Sequence, residues 1–238
     1  MPQELLYEGK AKKIFATSDA NVLLMEFKDS LTAFNAQKKG QFAGKGALNC
    51  KISTLIFKLL NQNAIPNHWL KTEDENHMSV QRTKIIPLEV VVRNILAGSL
   101  AKKLGRTDGE VLKQPVVEFY YKDDALNDPF VNDDHAVAMN WATEAQLDLM
   151  KLEALKINQI LIRLFSEARL KLVDFKIEFG VNSVGQLILS DEISPDCMRL
   201  WDMDTNKKMD KDRFRQDLGA VDEAYLEVFE RISKGAAL

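Results

Sequence analysis

One strand-like segment constrains this chain more than any other. In Leu172-Val173-Asp174-Phe175-Lys176-Ile177-Glu178-Phe179-Gly180, charged and apolar residues alternate, and extended backbone sends successive side chains to opposite faces. Asp174, Lys176 and Glu178 therefore share one face, and Phe175, Ile177 and Phe179 share the other. The apolar row must be core, so the charged row either meets water or lines a polar cleft. A second strand is predicted over 186–191, and the polar Val181-Asn182-Ser183-Val184-Gly185 between the two reads as a hairpin connection. If Gly180 pairs with Leu187, Asp191 falls opposite Lys176, and cross-strand partners project to the same face. That register brings the carboxylates of Glu178 and Asp191 together with an ammonium beside them. Two crowded carboxylates repel unless a cation lies between them, and oxygen ligands of this kind suit Mg²⁺ carrying nucleotide phosphates.

The other segments mix helices and strands. Residues 5–27 alternate around Thr17-Ser18-Asp19-Ala20-Asn21, the pattern of short antiparallel strands joined by a turn. A helix is predicted over 46–62, with Leu48, Ile52, Leu55, Ile56, Leu59 and Leu60 on one face and Ile65-Pro66 at its end. Strand pattern returns at 78–83, and Lys84-Ile85-Ile86-Pro87-Leu88-Glu89-Val90-Val91-Val92-Arg93 reads as a buried strand whose beginning Pro87 breaks. The boundary between a small lobe, 1–85, and a larger one, 86–238, is placed there. The stretch 121–140, rich in Asp and Asn, is expected to be a long functional loop. Residues 144–170 read as a central helix with apolar residues on more than one face. A single amphipathic helix is expected over 211–234, carrying Phe214, Leu218, Val221, Tyr225, Val228 and Ile232. Regular βαβ alternation is missing, so the fold class is α+β, with an antiparallel sheet in the small N-terminal lobe.

A length of 238 residues suits one large domain or two intimately packed ones. With 32 Lys and Arg against 35 Asp and Glu, the net charge is −3, which leaves no excess of positive charge for a nucleic-acid partner. Phosphate chemistry must use local clusters. No apolar run approaches the roughly 18 to 20 residues of a membrane helix, and Met1-Pro2-Gln3-Glu4 lacks the basic start and apolar stretch of a secretory leader. The expectation is a cytoplasmic protein with no membrane partner. Cys50 and Cys197 lack metal-like spacing and read as buried thiols, and His68, His77 and His135 are given no role.

Three local clusters remain. In Tyr7-Glu8-Gly9-Lys10-Ala11-Lys12-Lys13-Ile14-Phe15, a glycine and lysines sit between strand residues. A Walker A loop would lead into a helix, whereas this segment continues as strand, as in a hairpin that covers phosphates from above. Arg93-Asn94-Ile95-Leu96-Ala97-Gly98-Ser99 puts an arginine at a strand end and Gly98-Ser99 at the start of a short helix, 100–104, where backbone N–H groups, a hydroxyl and a guanidinium suit a phosphate monoester. Ser99 is equally a natural N-cap. Arg199, close to Asp196 and Asp202, either forks onto a phosphate or carboxylate or forms a salt bridge with those neighbours. No Gly-x-Ser-x-Gly elbow is present, so the chemistry points to phosphate positioning rather than an acyl-enzyme.

These motifs resemble one family. The stretches 86–99 and 172–180, and also 7–15, Ser194-Pro195-Asp196, Arg199-Leu200-Trp201-Asp202 and 210–216, which occur in the expected order, are similar to phosphoribosylaminoimidazole-succinocarboxamide synthases, the SAICAR synthetases. The resemblance implies an ATP-dependent ligase of de novo purine biosynthesis that joins the carboxylate of carboxyaminoimidazole ribonucleotide to the amine of L-aspartate. It implies a two-lobed fold with ATP in the cleft, Mg²⁺ accompanying ATP, and a homo-oligomer. Residue by residue, Gly9, Lys10, Ala11 and Lys12 match the nucleotide-covering segment, and Ile86 is placed with them. Glu178 and Asp191 match the metal-bearing carboxylates, and Arg93, Ser99, Asp174, Lys176 and Arg199 match the nucleotide-substrate site. Lys176, Asp174 and Lys12 are the expected catalytic residues. Cys197-Met198 departs from the small or polar residues expected there. A kinase would require a Gly-x-Gly-x-x-Gly loop and a His-Arg-Asp segment, and neither is present. A non-catalytic nucleotide-binding module would bind MgATP without aspartate-dependent ADP release.

Overall fold

The computed structural model describes residues 4–33 and 38–235; residues 1–3, which bear on the leader expectation, lie outside them with 34–37 and 236–238. The small lobe begins with strands β1 (Leu5–Glu8), β2 (Lys12–Ala16) and β3 (Val22–Phe27), a short pair β4 (Ser30–Ala33) and β5 (Lys38–Gln41), then helix α1 (Lys45–Gln62), β6 (Trp69–Thr72) and β7 (His77–Gln81). Its antiparallel sheet runs in the order β1-β2-β3-β7-β6. The expected turn at 17–21 joins β2 to β3, whose register pairs Lys12 with Phe27 and Ala16 with Leu23. Helix α1 buries Ile52, Ile56, Phe57 and Leu60 against that sheet.

The larger lobe starts at β8 (Thr83–Ile95), followed by α2 (Gly98–Lys103), β9 (Val111–Tyr121), β10 (Phe130–Val131), α3 (Asp133–Ala138), α4 (Glu144–Glu167), β11 (Leu170–Asn182), β12 (Leu187–Leu189), β13 (Met198–Asp202), α5 (Asp212–Arg215) and α6 (Val221–Gly235). Its antiparallel sheet is ordered β10-β9-β8-β11-β12, with β13 also on β11. Leu147, Met150, Ala154, Ile157, Leu161 and Leu164 recur on α4 at steps of three and four and are buried, the spacing of one helix face. That face covers the apolar side of the sheet, to which β11 contributes Phe175, Ile177 and Phe179. The opposite side of the sheet is left to the cleft.

Several sequence expectations are corrected. Pro87 does not break the strand; β8 runs through it, and the cost is a register shift between Glu178 and Gly180 on the partner β11. The stretch 121–140 is not a loop. It holds a 3-10 turn at Asp124–Leu126, β10 and α3, and two of its Asp and Asn residues are caps: Asp123 accepts from the N–H groups of Ala125 and Leu126, and Asn132 forms a capping box with His135. Helix α4 buries one face rather than several, since Leu149 and Leu152 are exposed, and Arg169 ends it in the left-handed region at φ 58°. The single helix expected over 211–234 is two. Asp217, Gly219 and Ala220 take φ of 54°, 68° and 48°, and the Arg213 guanidinium donates to the carbonyls of Leu218, Gly219 and Lys208, fixing the break. Strand β9, with Pro115 in its middle, and the β4–β5 pair had no counterpart in the sequence reading.

Candidate active site

The charged face of β11 opens on a cavity of about 520 Å³ between the lobes. Gly9, Lys10, Ala11 and Lys12, at the β1–β2 hairpin, line it, as do Lys176, Glu178 and Asp191. A recess of about 220 Å³ continues from it along the same sheet face, lined by Arg93, Ser99, Asp174, Lys176 and Arg199 among others. The two spaces share Glu89, Lys176, Asp196, Cys197 and Arg215. Ile86 lines neither and lies in the hydrophobic core.

In the ladder between β8 and β11, Glu178 stands opposite Glu89, Lys176 opposite Val91 and Asp174 opposite Arg93. Like charges directly opposite each other destabilise a sheet. Here Lys176 answers both carboxylates: its ammonium pairs with Glu89 and lies 3.7 Å from Glu178. Lys122, at the end of β9, donates to Glu178 at 2.5 Å. Burial works to raise the Glu178 pKa, yet Lys176, Lys12 and Lys122 outweigh it and hold the group below the ordinary carboxylate value. By the reverse balance, Glu178 and Glu89 outweigh burial and raise the pKa of Lys176.

Asp191 reaches the cavity by a route other than the one expected. Gly180 pairs with Ile188, not Leu187, and this one-residue slip alone would have turned Asp191 toward the core. The ladder instead stops at Leu189, and the chain turns so that Asp191 and Glu192 both meet the Lys12 ammonium. Burial opposes ionisation of Glu192, but Lys12 prevails and brings its pKa down to about 2. This group's contribution to stability is therefore complete above the unfolded value near pH 4.5 and is lost as the pH falls through about 2.

The recess holds an alternating row of buried charges. Arg93 donates through Nε to Glu118 at 2.7 Å, through Nη1 to Asp174 at 2.9 Å and through Nη2 to the Tyr120 hydroxyl at 3.2 Å. Asp174 also accepts from Arg199 at 2.7 Å, and Arg199 reaches Asp212 at 2.9 Å. The partners of Arg199 are thus Asp174 and Asp212 rather than Asp196 and Asp202. Burial raises the Asp174 pKa against the pull of Arg199 and Arg93. With one oxygen accepting from two guanidiniums, Asp174 is built as an anchor for both. Ser99 is not the N-cap; that place belongs to Ala97, and Asp108 accepts the Gly98 N–H at 3.1 Å.

Gly98 has φ +62°, and a Cβ there would lie 2.5 Å from the Arg199 guanidinium. Gly98→Ala is therefore expected to move Arg199 and raise the KM of whichever substrate occupies the recess severalfold, leaving the KM of the other little changed. Steady-state kinetics on the purified variant checks this.

Sequence reading missed Glu89, Lys122, Glu192 and Lys211, all of which line the main cavity; Arg215, by sequence either an aspartate ligand or a surface charge on a helix start, lines it as well. The charge of Glu89 inside a β-branched run, two residues from Val91 and four from Arg93, was a usable signal. Lys122 was hidden by the unassigned β9. Lys211 forms no ion pair among the described residues, and burial lowers its pKa although Asp196 opposes the shift. Burial pushes the Cys197 thiol up to about 12, so it is no nucleophile at neutral pH. Burial likewise brings His68 down to about 3, which keeps that imidazole neutral.

Among the described residues, no three His, Cys, Asp or Glu side chains converge as an all-protein metal cage. Mg²⁺ with nucleotide needs less, since one or two carboxylates suffice beside phosphate oxygens and water. Glu178 and Asp191, two buried carboxylates on one cavity, fit that donor set.

Comparison with known proteins identifies the family. The family model for SAICAR synthetase matches residues 5–232. The phosphoribosylaminoimidazole-succinocarboxamide synthase of Campylobacter curvus is 56% identical over 231 residues, 97% of this chain and 98% of that protein. The crystal structure of the enzyme of that name from Ehrlichia chaffeensis superposes with a TM-score of 0.94 at 45% identity, covering 97% of this chain and 98% of the other. A type-2 SAICAR synthetase in complex with ADP gives 0.93 at 45% identity, with 96% and 97% covered. A similarity that runs through both lobes and the cleft between them leaves one assignment: the chain belongs to the SAICAR synthetase family, the ATP-dependent ligases of purine biosynthesis.

Proposed function

We propose that the cleft couples the carboxylate of carboxyaminoimidazole ribonucleotide to the amine of L-aspartate, with ATP split to ADP and phosphate. One observation carries this reading. A lysine-bearing hairpin and two buried carboxylates line a single cavity that continues into an arginine-lined recess, and this supports an ATP site beside a site for a second anion. The elements before β8 form the covering lobe in this reading, close to the boundary expected after residue 85, and β8 onward carries the metal and substrate sites.

A carboxylate is a poor acyl donor because oxide would have to leave, so coupling requires activation. The substrate carboxylate attacks the γ-phosphorus and ADP leaves; the aspartate amine then attacks the carbonyl carbon of the resulting acyl phosphate, expelling phosphate and losing a proton as the amide forms. The hairpin residues Gly9 to Lys12 hold the nucleotide. Lys10, Lys12, Lys122 and Lys176 face the transferring phosphoryl group and offset its charge. Glu178 and Asp191 would hold Mg²⁺, which when bound supplies charge neutralisation at the phosphates. Arg93, Ser99 and Arg199 bind the ribonucleotide, with Asp174 fixing the two guanidiniums. Lys211 and Arg215 are the cations on the cavity wall best suited to the aspartate carboxylates.

The test is ADP release measured with the ribonucleotide and aspartate each omitted in turn. Continued turnover is expected to need both, since without aspartate only a stoichiometric burst can accompany acyl phosphate formation, and sustained release without aspartate would contradict the ligase reading. With ¹⁸O in the substrate carboxylate, one labelled oxygen should appear in the released phosphate; the absence of transfer would exclude the acyl phosphate.

A further inference from the structure

Helix α1 carries a buried polar stripe. Lys45, Asn49 and Ser53 are spaced by four, so they share one helix face, and their exposures are 0%, 2% and 0%. Burying polar groups is costly unless partners answer them, and all three find partners on the segment just after Asp191 and Glu192. Ser53 donates to the Ile193 carbonyl at 3.0 Å. Asn49 and Lys45 donate to Oδ2 of Asp196 at 3.1 and 2.5 Å. The other oxygen, Oδ1, accepts from the Tyr225 hydroxyl of α6 at 2.8 Å. Tyr225 is itself fully buried, edge-on to Phe42 with ring centroids 5.7 Å apart.

Two helices from distant parts of the chain thus grip one carboxylate at the junction of cavity and recess. On one side of Asp196 lie Asp191 and Glu192, the partners of Lys12; on the other, the Cys197 carbonyl accepts the Lys176 N–H at 2.8 Å. Lys45 also reaches the Lys28 carbonyl at 3.4 Å, and Lys28 is bonded to the covering hairpin through Ala11 and Gly9. None of Lys45, Asn49, Ser53 and Tyr225 lines the cavity or the recess. They act on the site through Asp196 and the segment it anchors.

We propose that Lys45 and Tyr225 are positioning residues for the ligase reaction, clamping the Asp196 carboxylate from α1 and α6 so that Asp191 and Glu192 are held against Lys12 across the cavity. The proposal rests on the cleft being the active site described above. Because the clamp sets charges around the transferring group rather than a binding contact, its loss acts on kcat.

Tyr225→Phe removes one hydroxyl and keeps the ring. In the full-length protein, assayed by ADP release well below the variant's melting temperature, kcat is expected to fall more than threefold while the KM for ATP stays within twofold. A melting temperature lowered with kcat within threefold of wild type would show a purely structural bond and overturn the proposal, as would a change confined to KM. Lys45→Met is expected to lower kcat further. Should it fail to fold, because the buried Asp196 loses its ion-pair partner and keeps only the more distant Lys211, Tyr225→Phe decides alone. Wild-type protein that releases no ADP with both substrates would contradict the ligase reading instead, so the two failures are distinguishable.

Discussion

Glu178→Gln is expected to lower kcat by roughly a hundredfold or more, the scale seen when a preorganised charge is removed from a reacting centre, while circular dichroism stays that of the wild type. The fold survives because Ile177 and Phe179, not Glu178, face the core. The effect on stability without metal has an instructive sign. Two carboxylates considered alone repel, and losing one would stabilise the empty site. Lys122 and Lys176 reverse that expectation, since a hydrogen bond to a charged group is worth about 1.5 to 3 kcal/mol and Lys122 makes one to Glu178. The variant should therefore melt below the wild type in metal-free buffer. A melting point that rises would show that the lysines do not hold Glu178 in solution, and normal turnover at low Mg²⁺ would remove it from the metal site.

Arg93→Lys is the second large effect. Lysine keeps the charge but cannot donate along the three directions that Arg93 uses toward Glu118, Asp174 and Tyr120. Loss of one or two charged hydrogen bonds costs about 2 to 4 kcal/mol, which for a chain of this size lowers the melting temperature by roughly 5 to 15 °C. If the remaining guanidinium protons also meet the ribonucleotide, its KM should rise about tenfold to a hundredfold with the KM for ATP nearly unchanged. A lowered melting point with both KM values unaltered would leave Arg93 as scaffold alone. Both quantities come from one preparation.

The parts of the site that were legible in sequence follow from short-range geometry. Period-2 alternation put Asp174, Lys176 and Glu178 on one face without any knowledge of neighbours, and the step of three and four in α4 did the same for its core. What escaped depended on turns and partners. The hairpin register is set by Asn182, whose Oδ1 accepts from the N–H groups of Val184 and Gln186, and composition alone places that turn only to within a residue. The Asp-rich stretch after Tyr121 looked like loop because capping residues and loop residues are the same residues. Lys122, Glu192 and Lys211 could not be singled out because surface lysines and glutamates share their local patterns. Their significance appears only when β9, the Asp191–Cys197 segment and the start of α5 converge on one cavity.

Strand β11 has a consequence for how the chain tolerates change. From Asp174 to Phe179 every side chain is committed, either to the packed interior or to the cleft, and no position is idle. A scan of all substitutions read for both protein abundance and catalytic rate should split this strand into two interleaved classes. Changes at Phe175, Ile177 and Phe179 deplete the folded protein and carry activity down with it. Changes at Lys176 and Glu178 leave abundance far less affected than rate. Asp174 belongs to both classes, because its neutralisation frees two guanidiniums, that of Arg93 buried and that of Arg199 partly so. Such a strand drifts slowly in sequence for two unrelated reasons that alternate residue by residue.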